Sequence, residues 1–138
     1  MALTTNALDD DFHVGPQIMP SDVDALREAG FEMIINNRPD GEEQGQPSDE
    51  AIEAAAREAG LDYAHVPLGR GMGPADIEAE RAALDRAKGK KTFAYCRSGT
   101  RSTLLWAAAE HEAGRDVAEL RNSAEAAGYS LDPIEHLL

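Results

Sequence analysis

Apolar residues recur along the chain with two spacings, which predict helices alternating with short strands. Helical spacing, with N-cap residues before it and glycines after it, predicts five helices. They cover about residues 21–29, 48–59, 74–88, 102–113 and 116–127. Short apolar runs predict buried strands at 31–35, 61–67 and 92–95, and weaker alternation predicts a strand or hairpin within 12–19. Residues 1–10 are expected to be a loose lead-in.

This order of elements indicates an α/β fold with a mainly parallel central sheet flanked by helices. The length of 138 residues predicts a single domain over 1–138. In parallel sheets, ligands bind beyond the carboxyl ends of the strands. The loops after Ile35, Val66 and Tyr95 are therefore expected to share one sheet edge and to surround one site.

Charge and cysteine content narrow the classes of function. A formal net charge of −13, with no basic stripe, argues against nucleic acid and against an anionic membrane surface as partners. No stretch approaches the roughly 20 apolar residues of a membrane span, and no signal peptide is visible. The single cysteine excludes an intramolecular disulfide. We expect a cytoplasmic protein with no cofactor and no metal site.

The chemistry is predicted to centre on Cys96, which follows the strand at 92–95 and precedes a helix. Arg97, Ser98, Gly99 and Thr100 lie between Cys96 and Arg101. Backbone amides of such a loop form a nest for an anion, and the helix adds the positive end of its dipole. The same field stabilises a thiolate. The alternative is a buried structural cysteine, which the polar, basic and glycine-rich loop makes less attractive.

Individual loop residues have expected roles. Arg101 can hold an oxyanion with two parallel hydrogen bonds. Gly99 allows a backbone conformation that a residue with a Cβ resists. The hydroxyl of Ser102 or Thr100 is expected to donate a hydrogen bond to the Cys96 sulfur.

Two motifs carry a resemblance to a known family. Cys-x-x-Gly-x-Arg-Ser resembles the active loop that protein tyrosine phosphatases and rhodanese sulfurtransferases share in variants. Together with Asn36-Asn37-Arg38-Pro39-Asp40-Gly41-Glu42, it resembles the β-lactamase hydrolase-like protein phosphatase-like domain, a DUF442-type family also labelled sulfur transferase. The resemblance covers about residues 11–128. It implies a dual-specificity-phosphatase-like fold and a persulfide dioxygenase as a functional partner, since other members are fused to one.

Three features separate sulfur transfer from phosphoryl transfer. Tyrosine phosphatases place five residues between Cys and Arg, whereas this loop has four, the rhodanese spacing. Phosphoryl transfer also needs an acid for the leaving group, and residues 66–73, where phosphatases keep it, contain no carboxylate. Asp40 and Asp76 are the nearest substitutes, although a turn residue and a first-turn helix acid are the simpler interpretations. Finally, Tyr95 stands where phosphatases commonly have His.

The leading hypothesis is a sulfurtransferase that moves sulfane sulfur from thiosulfate or a persulfide, through a Cys96 persulfide, to a thiol or another acceptor. A cysteine-dependent phosphatase acting on phosphate esters through a Cys96 phosphocysteine is the alternative. A third hypothesis is a non-catalytic anion-binding or redox-sensing module. Arg38 is expected at the same sheet edge, either as a second cation for the substrate or as a brace paired with Glu42 or Glu43. His65 is left outside the site.

Overall fold

A computed structural model describes residues 3–138. Five strands form one sheet in the order β1-β2-β5-β3-β4, and every neighbouring pair is parallel except β1 with β2. The strands are β1 (Asn6–Asp9), β2 (Phe12–Gly15), β3 (Met33–Asn36), β4 (Asp62–His65) and β5 (Thr92–Tyr95). The predicted α/β class with a mainly parallel central sheet is confirmed.

Over residues 3–138, five α-helices flank the sheet: α1 (Val23–Glu28), α2 (Asp49–Glu58), α3 (Pro74–Ala87), α4 (Thr100–Glu112) and α5 (Val117–Ala126). Short 3₁₀ helices cover Pro20–Asp22 and Asp132–Leu137. The local start signals were correct where the side chain caps the helix. Ser48 accepts a hydrogen bond from the Ala51 amide, and Asp116 accepts one from the Glu119 amide.

The helices cover both faces of the sheet, because side chains alternate along the strands. Met33 and Ile35 pack into the core beneath α3, α4 and α5, whereas Ile34 packs into a second core with residues of α1 and α2. In β5, Ala94 faces the first core and Phe93 the second. Strands buried on both faces explain why their sequences read as continuous apolar runs rather than alternating ones.

Three predictions about the chain need correction. The segment 1–10, expected to be a loose lead-in, contains β1, which pairs with β2. Residues 1 and 2 lie outside the described part of the chain. Ser21 does not cap α1, since it lies inside a 3₁₀ turn that precedes the helix. The helix predicted from residue 102 begins at Thr100, so Arg101 belongs to its first turn.

Strand register brings the predicted site loops to one edge. Tyr95, the last residue of β5, lies opposite Gly15 of β2 and Asn36 of β3, and Asn36 lies opposite His65 of β4. The chain segments that leave these four strands therefore emerge side by side. Cys96 is the first residue beyond β5 and occupies the centre of that edge.

Candidate active site

The loop after β5 folds back so that its own backbone contacts the cysteine sulfur. Cys96 is only 1% exposed, and its Sγ accepts a hydrogen bond from the Gly99 amide at 3.1 Å. Gly99 has φ of +97°, a conformation that favours glycine, and α4 begins at the next residue. The sulfur thus lies against the amino-terminal end of a helix, where the dipole favours negative charge.

The donor to sulfur is therefore a backbone amide and not a hydroxyl, contrary to our expectation for Ser102 or Thr100. Thr100 Oγ1 instead accepts a hydrogen bond from the Ser98 hydroxyl at 3.1 Å. Ser102 Oγ is fully buried and has no hydrogen-bond partner within residues 3–138.

Tyr129 supports the cysteine loop from outside, a role that sequence reasoning missed. Its hydroxyl donates to the Ser98 carbonyl at 3.1 Å and accepts from the Asn6 amide group at 3.0 Å. A Cβ added to Gly99 would lie 2.3 Å from that hydroxyl and 3.3 Å from the Gly15 Cα. The glycine is thus required by close approach as well as by its φ.

Arg101 holds a carboxylate in the geometry expected for a substrate oxyanion. Its two terminal nitrogens each donate to one oxygen of Glu42 at 2.7 Å, and one of them also donates to the Leu68 carbonyl at 2.9 Å. The Arg101 side chain is 22% exposed and that of Glu42 is 29% exposed. The sequence predicted Glu42 only as a salt-bridge partner for Arg38, and its contact with Arg101 was not predicted.

Arg38 lies beneath this pair and is 1% exposed. Its guanidinium donates to Glu42 at 2.8 Å, to Gln17 at 3.0 Å and to Glu43 at 3.1 Å. His65, which we had left outside the site, contacts the Arg38 carbonyl through Nε2 at 3.0 Å. Arg38 therefore has the salt bridges expected of a brace, and its role toward a substrate stays a prediction.

Glu42 is the charge that links the two arginines. The hydrogen bonds from Arg101, and after them those from Arg38, lower the pKa of Glu42 to about 2, although partial burial opposes the shift. Glu42 in turn raises the pKa of Arg101. The resting site thus presents two guanidinium groups bridged by an ionised carboxylate. Arg97, 71% exposed, lies 4.0 Å from Glu43 and adds positive charge at the rim.

The two aspartates considered as acids both cap helices. Asp40 is exposed, and its carboxylate accepts a hydrogen bond from the Asp49 amide at the start of α2, at 2.8 Å. Asp76 accepts one from the Gly73 amide before α3, also at 2.8 Å. Both carboxylates are therefore engaged by backbone amides at the start of a helix.

Residues 3–138 contain no group of three or more His, Cys, Asp or Glu side chains arranged to hold a metal ion. Over the same range, none of the helices combines the length and apolar character needed to cross a bilayer.

A cysteine loop between a parallel strand and a helix, facing a bridged pair of arginines, defines a phosphatase-like domain. Residues 5–113 match the family described as the β-lactamase hydrolase-like protein, phosphatase-like domain. The chain belongs to this family, as the two sequence motifs predicted.

Curated relatives carry the domain within a longer protein. The β-lactamase hydrolase-like protein of Xylella fastidiosa (strain Temecula1) is 43% identical over a match that covers 73% of this chain. That of Agrobacterium fabrum is 41% identical over 74% of the chain. Those matches span only 23% and 24% of the relatives, so the chain corresponds to about a quarter of their length.

Solved structures share the fold over nearly the full chain. A protein from Neisseria meningitidis Z2491, crystallised as a candidate phosphatase, is 34% identical with a TM-score of 0.81, covering 96% of this chain and 94% of its own. Tk-PTP in its active form aligns with a TM-score of 0.67 at 18% identity, covering 92% and 88%. Kinase associated phosphatase aligns with a TM-score of 0.68 at 15% identity, covering 92% and 83%. At these lower identities the likeness concerns the fold alone.

Proposed function

We propose that this domain is a sulfurtransferase that carries sulfane sulfur on Cys96. The observation that carries the proposal is how the three carboxyl groups of the loops at this sheet edge are engaged. Asp40 and Asp76 cap helices, and Glu42 is ionised between two arginines. A thiolate chemistry that needs no proton donor suits this arrangement better than one that must protonate an alkoxide.

The reaction balances without a proton. The Cys96 thiolate attacks the outer sulfur of thiosulfate, the sulfur–sulfur bond of the donor breaks, and sulfite leaves with the electron pair. Cys96 then carries a persulfide anion. A nucleophile such as cyanide or a thiolate attacks the terminal sulfur, and the Cys96 thiolate is regenerated. Arg101, Arg97 and the loop amides would hold the sulfonate oxygens after Glu42 is displaced.

The test uses the purified protein with thiosulfate and cyanide. We expect thiocyanate, and intact-protein mass spectrometry after thiosulfate alone should show one added sulfur. Cys96→Ser should abolish both, whereas Ser98→Ala, which alters an exposed hydroxyl of the same loop, should retain both. Hydrolysis of p-nitrophenyl phosphate without thiocyanate formation would refute sulfur transfer.

A cysteine-dependent phosphatase is the second candidate, and the fold of the solved relatives favours it. Here the thiolate attacks phosphorus, the ester bond breaks, and the leaving alkoxide takes a proton from an acid. This candidate requires a phosphocysteine trapped at Cys96 and a rate loss in Asp40→Asn or Asp76→Asn. A protein with neither activity, for which Cys96→Ser changes only anion binding, would be the non-catalytic module.

A further inference from the structure

Glu80 is a buried carboxyl group that the proposed chemistry does not use. It lies in the middle of α3 and is 0% exposed. Its Oε1 accepts a hydrogen bond from the Asn37 side-chain amide at 3.1 Å. Its Oε2 is buried and has no partner within the described residues. An ionised carboxylate in such a place would leave most of its charge uncompensated, which is costly.

Asn37 has the complementary unsatisfied oxygen. Its Nδ2 donates to the Val66 carbonyl at 3.0 Å and to Glu80 at 3.1 Å, so both of its N–H groups are engaged. Its Oδ1 is buried without a donor in residues 3–138. The two unpartnered oxygens thus belong to two side chains that already share one hydrogen bond. One proton on Glu80 Oε2 would satisfy both oxygens and close a cyclic acid–amide pair.

We propose that Glu80 is a neutral carboxylic acid that donates to Asn37, and that this acid–amide pair positions the loops of the active site. The backbone of Asn37 carries the connection. Its amide donates to the Tyr95 carbonyl at 2.8 Å, next to Cys96, and its carbonyl accepts from the Leu68 amide at 3.0 Å. The Leu68 carbonyl binds Arg101. Glu80 is therefore a positioning residue for Cys96 and Arg101, whichever group Cys96 transfers.

Within the part of the chain that the structure describes, the charged groups on neighbouring elements leave Glu80 without a counter-ion. Asp76, one turn earlier on α3, binds the Gly73 amide, and Glu112 of α4 pairs with Arg81 at 3.5 Å. Burial raises the pKa of Glu80 to about 7, and the Asn37 hydrogen bond opposes that shift; no charged side chain contributes. The pair is thus expected to hold its proton at mildly acidic pH and to lose it as the pH rises.

Two alkylating reagents test the positioning role. Iodoacetate is an anion and iodoacetamide is neutral, and both modify only Cys96, the single cysteine. Both react with the same thiolate, so the iodoacetate rate divided by the iodoacetamide rate does not depend on the ionisation of Cys96. This ratio reports how the arginines and loop amides surround the sulfur. In the wild type we expect this ratio to fall about fivefold as the pH rises, with a midpoint near pH 7. A fivefold change corresponds to the net free energy of about one hydrogen bond.

Glu80→Gln is the conservative variant, because its amide can donate to Asn37 Oδ1 and accept from Asn37 Nδ2 at every pH. We expect it to keep the high ratio and to lose the pH dependence. Glu80→Leu removes the charge together with the hydrogen bonds, so a positioning role predicts a low ratio throughout. If Glu80→Leu and Glu80→Gln gave equal ratios, the hydrogen bonds to Asn37 would have no effect on the site and only the charge of Glu80 would matter. That result would overturn the positioning role.

Infrared spectroscopy tests the proton on the wild-type protein. Near pH 6 the carboxyl groups with ordinary pKa values are ionised, so we expect a C=O stretch of one neutral carboxylic acid. The band should disappear as the pH rises past about 7 and should be absent from Glu80→Gln. A wild-type spectrum without this band at pH 6, or a Glu80→Gln variant that keeps the pH-dependent ratio, would overturn the proposal.

Discussion

Glu42 binds Arg101, the residue that we propose holds an anionic substrate, so removing its charge should strengthen anion binding at Cys96. The change is Glu42→Gln, which preserves size and removes the charge shared by Arg101 and Arg38. An incoming oxyanion must displace the Glu42 carboxylate from Arg101, whereas it would displace only a weaker neutral amide from the variant.

The magnitude follows from the pKa of Glu42. A fall from 4.5 to about 2 corresponds to about 3 kcal/mol of net stabilisation of the ionised form, after the opposing effect of burial. The side chain is 29% exposed, so water and salt screen much of that energy. We therefore expect about 1 kcal/mol, equivalent to about a fivefold gain in anion selectivity.

The assay is the ratio of the iodoacetate rate to the iodoacetamide rate at a fixed pH near 6, with protection by sulfate, an oxyanion that does not react with the cysteine, as a second measurement. Glu43→Gln is the matched control, because it makes the same charge change one residue away. Glu43 contacts Arg38 and lies near Arg97 but does not bind Arg101. Equal ratios for the two variants would show that only overall charge matters and would refute the view that Glu42 competes with the anion.

Three further predictions concern the same elements. Arg101→Lys should weaken sulfate protection of Cys96 about tenfold, because it loses the two-pronged contact, while Arg97→Lys at the exposed rim should change it less. Gly99→Ala should lower the free energy of unfolding, measured by urea denaturation, by about 1–3 kcal/mol. Adding Tyr129→Phe to that variant should restore part of the lost stability, because it removes the hydroxyl that the new Cβ would contact. An unchanged stability of Gly99→Ala would contradict the close contact. Between about pH 4.5 and 7 the unfolded chain releases the Glu80 proton and the folded chain keeps it. The free energy of unfolding should therefore fall by about 3 kcal/mol as the pH rises, relative to Glu80→Gln. Parallel curves of unfolding free energy against pH for the two proteins would contradict a proton on Glu80.

The elements that the sequence predicted correctly are those with local causes. Ser48 and Asp116 cap helices through amides three residues away, and Pro74 begins α3. The strand at 92–95 is buried on both faces, and its apolar run is visible without knowledge of its neighbours. In contrast, the strand at 6–9 is only partly buried and exists because it pairs with β2, so its own pattern gave little signal.

The site followed the same division. The position of Cys96 was predictable from a short motif between a strand and a helix. Glu42 reaches Arg101 across 59 residues of sequence, and the Tyr129 hydroxyl reaches the Ser98 carbonyl across 31. No periodicity or spacing encodes such contacts, which depend on how loops from different strands meet at one edge. The pairing of Glu80 with Asn37 is equally non-local, at 43 residues.

The location of protons at this edge is what separates the two reactions that a cysteine loop can perform. Glu42, held between Arg101 and Arg38, has a lowered pKa and therefore offers a negative charge and not an acid. Behind the loop, the proton on Glu80 is enclosed by Asn37 and lies away from solvent. The leaving alkoxide of a phosphate ester needs a proton from an acid, whereas sulfite can leave thiosulfate without one. The phosphatase-like fold therefore supplies the cysteine loop and the arginines, and the contacts of the carboxyl groups at this edge are the reason that we propose sulfur as the group transferred.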